Sequence, residues 1–244
     1  SQRLTIDRRG WFFDRTHVSS IDYDKLEEFD AWRAKKLGRT PAQSTLKTHN
    51  AAMQHVFAFA VRNKWMIEAN VPQLSTVSGV TATRRDYFTP KEVAAIGAEF
   101  PRWIEESRKL ITRQTRELLF FYFYVAVHTG LRPGTEMDNL RWRDLQMFKK
   151  HVVISVRKGK TTLHTGTRHI VGHMAVLDMI LDMSARFEEV KDDDLVFRLW
   201  NGKVTNELGR NFTALLKRLD LGKSPDGKRT LYSLRHTYIT LKLL

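Results

Sequence analysis

Ten consecutive residues, Leu118 to Val127 (LLFFYFYVAV), are apolar on every face that a helix could present. A helix of that kind belongs inside a domain and not on its surface, so the rest of the chain has to be arranged around it. Thr129 and Gly130 then stop it. Gly130 can take the left-handed conformation of a helix C-cap, and Pro133 is best tolerated in the first turn of a following helix. Arg132 is therefore expected at a rigid corner between two helices, where its planar fork of donors can be presented to a phosphate without a large entropic cost. The same spacing admits a plainer reading, in which Arg132 pairs with Glu136 one turn later.

Charge indicates what such a corner would meet. The chain holds 41 Lys+Arg against 27 Asp+Glu, a formal net charge of +14, which points to a polyanionic partner: nucleic acid first, an anionic membrane second. No apolar run approaches the roughly 20 residues of a membrane span, and no signal peptide is visible. Cysteine is absent, which excludes disulfides, thiolate zinc sites and cysteine nucleophiles and fits a cytoplasmic protein. With 244 residues and 42% hydrophobic content, two modest domains are expected in place of one large one.

In chain order, Ser1 to Ser20 contains RLTIDRRGWFFDR, basic and aromatic without helical period, read as a short hairpin turning at Arg9-Gly10 that either contacts DNA or packs as an edge. Asp24 with Glu27 marks a helix start, and Gly38 its end. Thr40-Pro41-Ala42-Gln43 predicts a second capped helix to about Asn63, with Leu46, Met53, Phe57, Ala60 and Val61 as its buried stripe. Lys47, His49, Asn50 and Gln54 lie mostly off that stripe. Residues 71–86 (VPQLSTVSGVTATRRD) lack helical period and read as a linker, with Arg84 and Arg85 either touching phosphates or simply solvated.

Thr89 and Glu92 form a clearer capping box that opens a second domain. His151 to Arg157 reads as a strand and Thr167 to Val171 as its partner, joined through Lys158-Gly159-Lys160 and a basic loop. Met174 to Ser184 and Thr205 to Leu219 are expected helices, and SPDGKR a loop. Asp192 to Asp194 form a solvated loop on this reading, because three adjacent carboxylates without a calcium-loop pattern point in different directions. No metal site and no cofactor are expected. The fold class is mainly α with a small β-hairpin or sheet, in two domains spanning residues 1–83 and 87–244.

TGLRPGTEMDNLRWRDL resembles the first catalytic box of the tyrosine recombinase (phage integrase) family, and LYSLRHTYIT resembles the second, in the right order along the chain. There are two departures within the boxes: Thr135 stands as a one-residue insertion ahead of Glu136, and Tyr232 stands where the family usually has histidine. The resemblance implies a helical core-type DNA-binding domain followed by a mixed α/β catalytic domain. It implies that Arg132 and Arg235 clamp a scissile phosphate, that Glu136 orients Arg132, and that Lys160 acts as general acid, with Lys158 its nearest competitor.

Tyr232 would be a phosphate or arginine contact, since a phenol is a poor base at neutral pH. His236 would be a supporting residue. Lys47, Asn50, Arg84, Arg85 and Lys158 are the candidate DNA contacts. The family's nucleophilic tyrosine lies several helical turns past the second box, beyond Leu244, so Tyr122, Tyr124 and Tyr238 are not candidates for it. The implied activity is site-specific cutting and rejoining of duplex DNA through a 3′-phosphotyrosyl intermediate, by a cytoplasmic, nucleoid-associated homotetramer on DNA, with accessory DNA-bending proteins as further partners. A recombinase-fold DNA-binding protein without catalysis, acting as an accessory or regulatory factor, is the alternative.

Overall fold

The computed structural model describes residues 12–14, 16–81, 86–159, 166–224 and 227–243. The chain divides into two compact units, Ser1–Thr83 and Arg84–Leu244. The hairpin expected at Arg9-Gly10 and the linker arginines Arg84 and Arg85 lie outside the described residues.

The first unit is built on α1 (Tyr23–Leu37) and α2 (Gln43–Arg62). Asp22, not Asp24, caps α1: its carboxylate accepts the Lys25 N–H at 2.9 Å, while Asp24 already lies in the first turn. Gly38 closes α1 in the left-handed conformation. The cap expected at Thr40 does not form. Pro41 and Ala42 pair instead with Val80, whose N–H donates to the Pro41 carbonyl and whose carbonyl accepts the Gln43 N–H, both at 2.9 Å. A backbone carbonyl from almost forty positions away thus satisfies one of the amides that a helix start leaves open.

That pairing also corrects the expected linker. Val71 and Leu74 pack against the core made by Ile21, Phe57, Ala60 and Met66, the Asn50 amide donates to the Ser75 carbonyl at 2.9 Å, and the Ser78 hydroxyl donates to Asp30 at 2.9 Å. At Gly79 a Cβ would come within 2.9 Å of the Gln43 backbone, so the close approach needs glycine. Residues 71–81 therefore belong to the first unit: their two apolar side chains carry more weight than their lack of periodicity.

In the second unit, α3 (Pro90–Glu105) opens on the Thr89–Glu92 capping box, and α4 (Leu110–Thr129) carries the apolar run. Packed on α4 are α3, α5 (Met174–Ser184), α6 (Leu208–Arg218), α7 (Ser233–Leu243) and one edge of a three-stranded sheet. This explains why Leu118, Leu119, Tyr122, Phe123 and Ala126 can all be buried around one helix.

The antiparallel sheet has the order β1 (Leu145–Met147), β2 (His151–Val156), β3 (Arg168–His173), with Leu145 opposite Ile154 and His151 opposite His173. Val152, Ile154 and Val156 alternate inward, as the pleat requires. Strand β3 runs two residues past the expected Val171, because its ladder with β2 continues to His173. Part of SPDGKR, expected as loop, enters a two-residue ladder that pairs Lys223–Ser224 with Gly227–Lys228. Asp192 and Asp194 are not simply solvated: their carbonyls accept the Arg143 and Trp142 N–H groups at 3.0 and 3.1 Å. No group of three or more potential metal ligands occurs among the described residues, and among them no helix is long and apolar enough to cross a membrane.

Two contacts fix α7 against the start of the unit and the end of α4. The Phe88 N–H donates to the Thr237 hydroxyl at 2.9 Å, and the ring of Tyr238 lies where a Cβ on Gly130 would stand. Gly130 has φ 64°. Gly130→Ala is therefore expected to lose about 2–3 kcal/mol of folding stability, combining a left-handed backbone with overpacking. The shift in urea midpoint measures it, and a loss below about 0.5 kcal/mol would contradict this account of the α4–α7 contact.

Candidate active site

After Gly130 the chain does not enter the expected helix. Residues 133–139 form successive turns, in which the Glu136 and Met137 N–H groups both reach the Arg132 carbonyl, at 3.1 and 3.3 Å. Gly134 at φ 88° breaks the helical path. The buried helix itself pins these turns: the Tyr122 hydroxyl accepts the Gly134 N–H at 3.0 Å and donates to Asp138 at 2.9 Å. Burial, followed by the nearby Asp138 charge, pushes the Tyr122 phenol up; burial likewise raises the Asp138 carboxyl. The phenol thus keeps the proton that it donates.

Glu136 is the centre of the site, with a side chain only 1% exposed. One oxygen takes the Arg132 guanidinium. The other takes the Arg132 backbone N–H at 2.9 Å and the guanidinium of Arg168, at the start of β3. The pairing of Arg132 with Glu136 that the spacing allows is therefore present, and the same carboxylate also holds the Arg132 backbone. The hydrogen bond that the Arg132 guanidinium donates to Glu136 outweighs burial and raises the Arg132 pKa, with the Tyr232 hydroxyl assisting.

Arg235, from the first turn of α7, donates to the Gly130 carbonyl. Its pKa is lowered, first by burial and then by the charge of Arg132, with Arg168 adding to the effect. Two guanidinium groups thus share one carboxylate, and that of Arg235 stands near enough to feel their charges. An anion would relieve the like-charge repulsion, and an arginine cannot relieve it by losing a proton.

Beside them lies a cleft of about 640 Å³ lined by Arg132, Pro133, Thr135, Asn139, Lys158, Gly159 and Tyr232. The one-residue departure at Thr135 and the tyrosine in the histidine position both face this space. The Tyr232 ring meets His236 edge-on at 5.5 Å, and His236 is half-buried. Lys158 is exposed at the cleft wall; Lys160 lies outside the described residues.

In the first unit, Lys47 is exposed on α2, while Asn50 is half-buried and engaged with Ser75. Sequence reasoning missed Arg168 and the role of Tyr122. The signal for Arg168 was present: it shares the strand phase of Ile170 and Gly172, the inward side of β3, and a charge on an inward phase needs a buried partner.

No protein-family model matches the chain, and no curated protein matches it by sequence. Solved structures do match in fold. One is the XerH site-specific recombinase bound to its difH substrate in a pre-cleavage complex (TM-score 0.62, 16% identity, 91% of this chain and 59% of that one). Another is the Tn1549 transposon integrase in complex with transposon right end DNA (TM-score 0.68, 20% identity, 92% and 73%). A third is a lambda integrase dimer bound to a COC′ core site (TM-score 0.60, 15% identity, 91% and 71%). The chain spans less than two thirds of the XerH chain's length, and at these identities the likeness shows the fold.

Proposed function

We propose, for a chain that has the tyrosine recombinase fold, that it binds duplex DNA and activates one phosphodiester for strand exchange by a site-specific recombinase. The observation that carries this reading is the pairing of Arg132 and Arg168 with the buried carboxylate of Glu136, with the Arg235 guanidinium close enough to feel their charges, beside an open cleft. Arg132 and Arg235 hold the non-bridging oxygens, where charge grows in the transition state. A tyrosinate oxygen from another segment, its proton given up to solvent water, forms a bond to phosphorus as the bond to the 5′-oxygen breaks. A lysine from the β2–β3 connection, Lys160 or Lys158, gives that oxygen its proton. Tyr232 donates a hydrogen bond in place of the family's histidine.

Residues 1–83 act as a helical DNA-binding domain, with Lys47 as a phosphate contact, and residues 87–244 as the catalytic domain. The protein works on DNA as a homotetramer in the cytoplasm. The second reading, a DNA-binding factor that does not cleave, is favoured by Tyr232 alone, because a phenol does not accept a proton at neutral pH as histidine can.

Titration of labelled duplex at several salt concentrations tests the shared premise. The logarithm of affinity is expected to fall linearly with the logarithm of salt, with a slope of about 0.9 per phosphate neutralised. Salt-insensitive binding, or tighter binding to anionic vesicles than to DNA, would overturn both readings.

A further inference from the structure

The two oxygens of Glu136 are not used alike. One is occupied by the Arg132 guanidinium; the other is shared between the Arg132 backbone N–H and Arg168. A carboxylate with both oxygens open to a neighbouring arginine engages it bidentately, two parallel N–H donors on two oxygens. In that arrangement the arginine's fork is spent on the carboxylate. Arg168 stands in the way, held at the inward phase of β3 by the ladder that pairs it with Val156. Its placement has a cost: the Arg168 Nε is buried with no hydrogen-bond partner among the described residues, and an unmade bond of that kind disfavours the conformation unless something else holds it.

We propose that Arg168 is a positioning residue of the phosphate site: by occupying one oxygen of Glu136 it restricts that carboxylate to a single contact with the Arg132 guanidinium, leaving the Arg132 donors that meet neither Glu136 nor Tyr232 to a phosphate oxygen. It also changes the charge balance. Arg132 and Arg235 against Glu136 give an excess of one positive charge; with Arg168 the excess is two. The inference rests on the reading of this cleft as a phosphate site, and it assigns Arg168 no contact with the reacting atoms.

Inorganic phosphate is the probe, titrated calorimetrically into the 244-residue chain, with Arg132→Met to identify binding at this cleft. Arg168→Met keeps the apolar stem and is expected to weaken phosphate binding roughly tenfold, the scale of one unit charge a few ångströms away at an intermediate effective dielectric. Adding Glu136→Gln to Arg168→Met removes the charge that Arg168 offsets, and is expected to restore affinity to within about threefold of the wild type. Arg168→Lys, which keeps the charge, is expected to retain most of the affinity.

If Arg168→Met folds poorly, the double variant and the lysine variant carry the comparison, each against the wild type. A lower melting temperature with unchanged phosphate affinity in Arg168→Met would show a purely structural role and overturn the inference. So would a double variant that binds no better than Arg168→Met, or worse than the wild type by the full tenfold. Wild-type chain that binds no phosphate, or binds it equally well as Arg132→Met, overturns the phosphate-site reading itself, and the inference falls with it.

Discussion

Arg229→Met is expected to lower folding stability by about 3–5 kcal/mol at neutral pH, the cost of removing one partner from a buried ionic cluster. Arg229 is 7% exposed. Its guanidinium donates to Asp86 at 2.9 Å and to Glu92 at 2.7 Å, and lies 5.0 Å from the Phe88 ring centroid. Without it, the two carboxylates keep their hydrogen bonds to Ser224, Tyr87 and Thr89 but lose their shared cationic partner.

Burial alone would raise the Asp86 carboxyl, but the Ser224 hydroxyl, the Tyr87 amide and Arg229 together hold it below the ordinary range. The same holds for Glu92, where burial is outweighed by the Thr89 amide and Arg229. A carboxylate whose folded-state pKa is depressed contributes stability above its unfolded value, and loses that contribution as pH falls through the folded value. The gap between wild type and Arg229→Met should therefore be full at pH 7 and shrink once the pH falls below about 4. Urea midpoints at several pH values measure it, and a gap that stays constant on acidification would contradict the ionic account.

The cluster also has a place in the site. Asp86 and Glu92 belong to the entry into α3, while Arg229 lies four residues before Ser233, where α7 begins, so the ion pairs tie the start of the unit to the helix that carries Arg235. The Thr237 hydroxyl on the Phe88 N–H makes a second tie along the same seam. Arg235 is thereby positioned by residues more than one hundred positions away in sequence.

Legibility in the sequence followed the range of the deciding contact. Thr89 with Glu92, the apolar run of α4 and the alternation in HVVISV are decided within a few residues, and each forms as its pattern says. Thr40 failed as a cap because Val80 reaches Pro41 and Gln43 first. The helix expected after Arg132 gave way to turns because Gly134 takes φ 88° and Tyr122 fixes its N–H. The reach of Tyr122 from the middle of a buried helix is invisible to any local pattern.

The candidate site shows the same division. Arg132 and Glu136 are four residues apart and could be read together. Arg235 was reached through the second box. Arg168 joins Glu136 only because β3 lies beside the Arg132 corner: its inward strand phase showed that it needs a buried partner, but sheet topology decides which one. Electrostatic sites assembled from distant strands and turns are legible as types of residue before they are legible as places.

The largest functional effect is expected at Arg132 and Arg235, the two arginines proposed to hold the phosphate. On a polypeptide that carries this chain together with a tyrosine nucleophile, Arg132→Ala or Arg235→Ala is expected to slow strand cleavage by on the order of 100-fold or more, the scale for losing a preorganised donor to a developing oxyanion. Duplex affinity should fall only modestly, since each arginine supplies one phosphate contact among many. The two variants should differ in stability. Arg132→Ala leaves Glu136 buried with Arg168 as its remaining guanidinium partner and should destabilise the fold, whereas Arg235→Ala removes the donor to the Gly130 carbonyl but also a guanidinium whose charge is disfavoured by burial and by Arg132, and should destabilise it less. Arg235→Ala is thus the cleaner test, with cleavage lost, melting temperature lowered the less and binding nearly held. If Arg235→Ala lowers binding and cleavage by equal factors, the arginine serves the ground state alone, and the non-cleaving DNA-binding reading takes precedence.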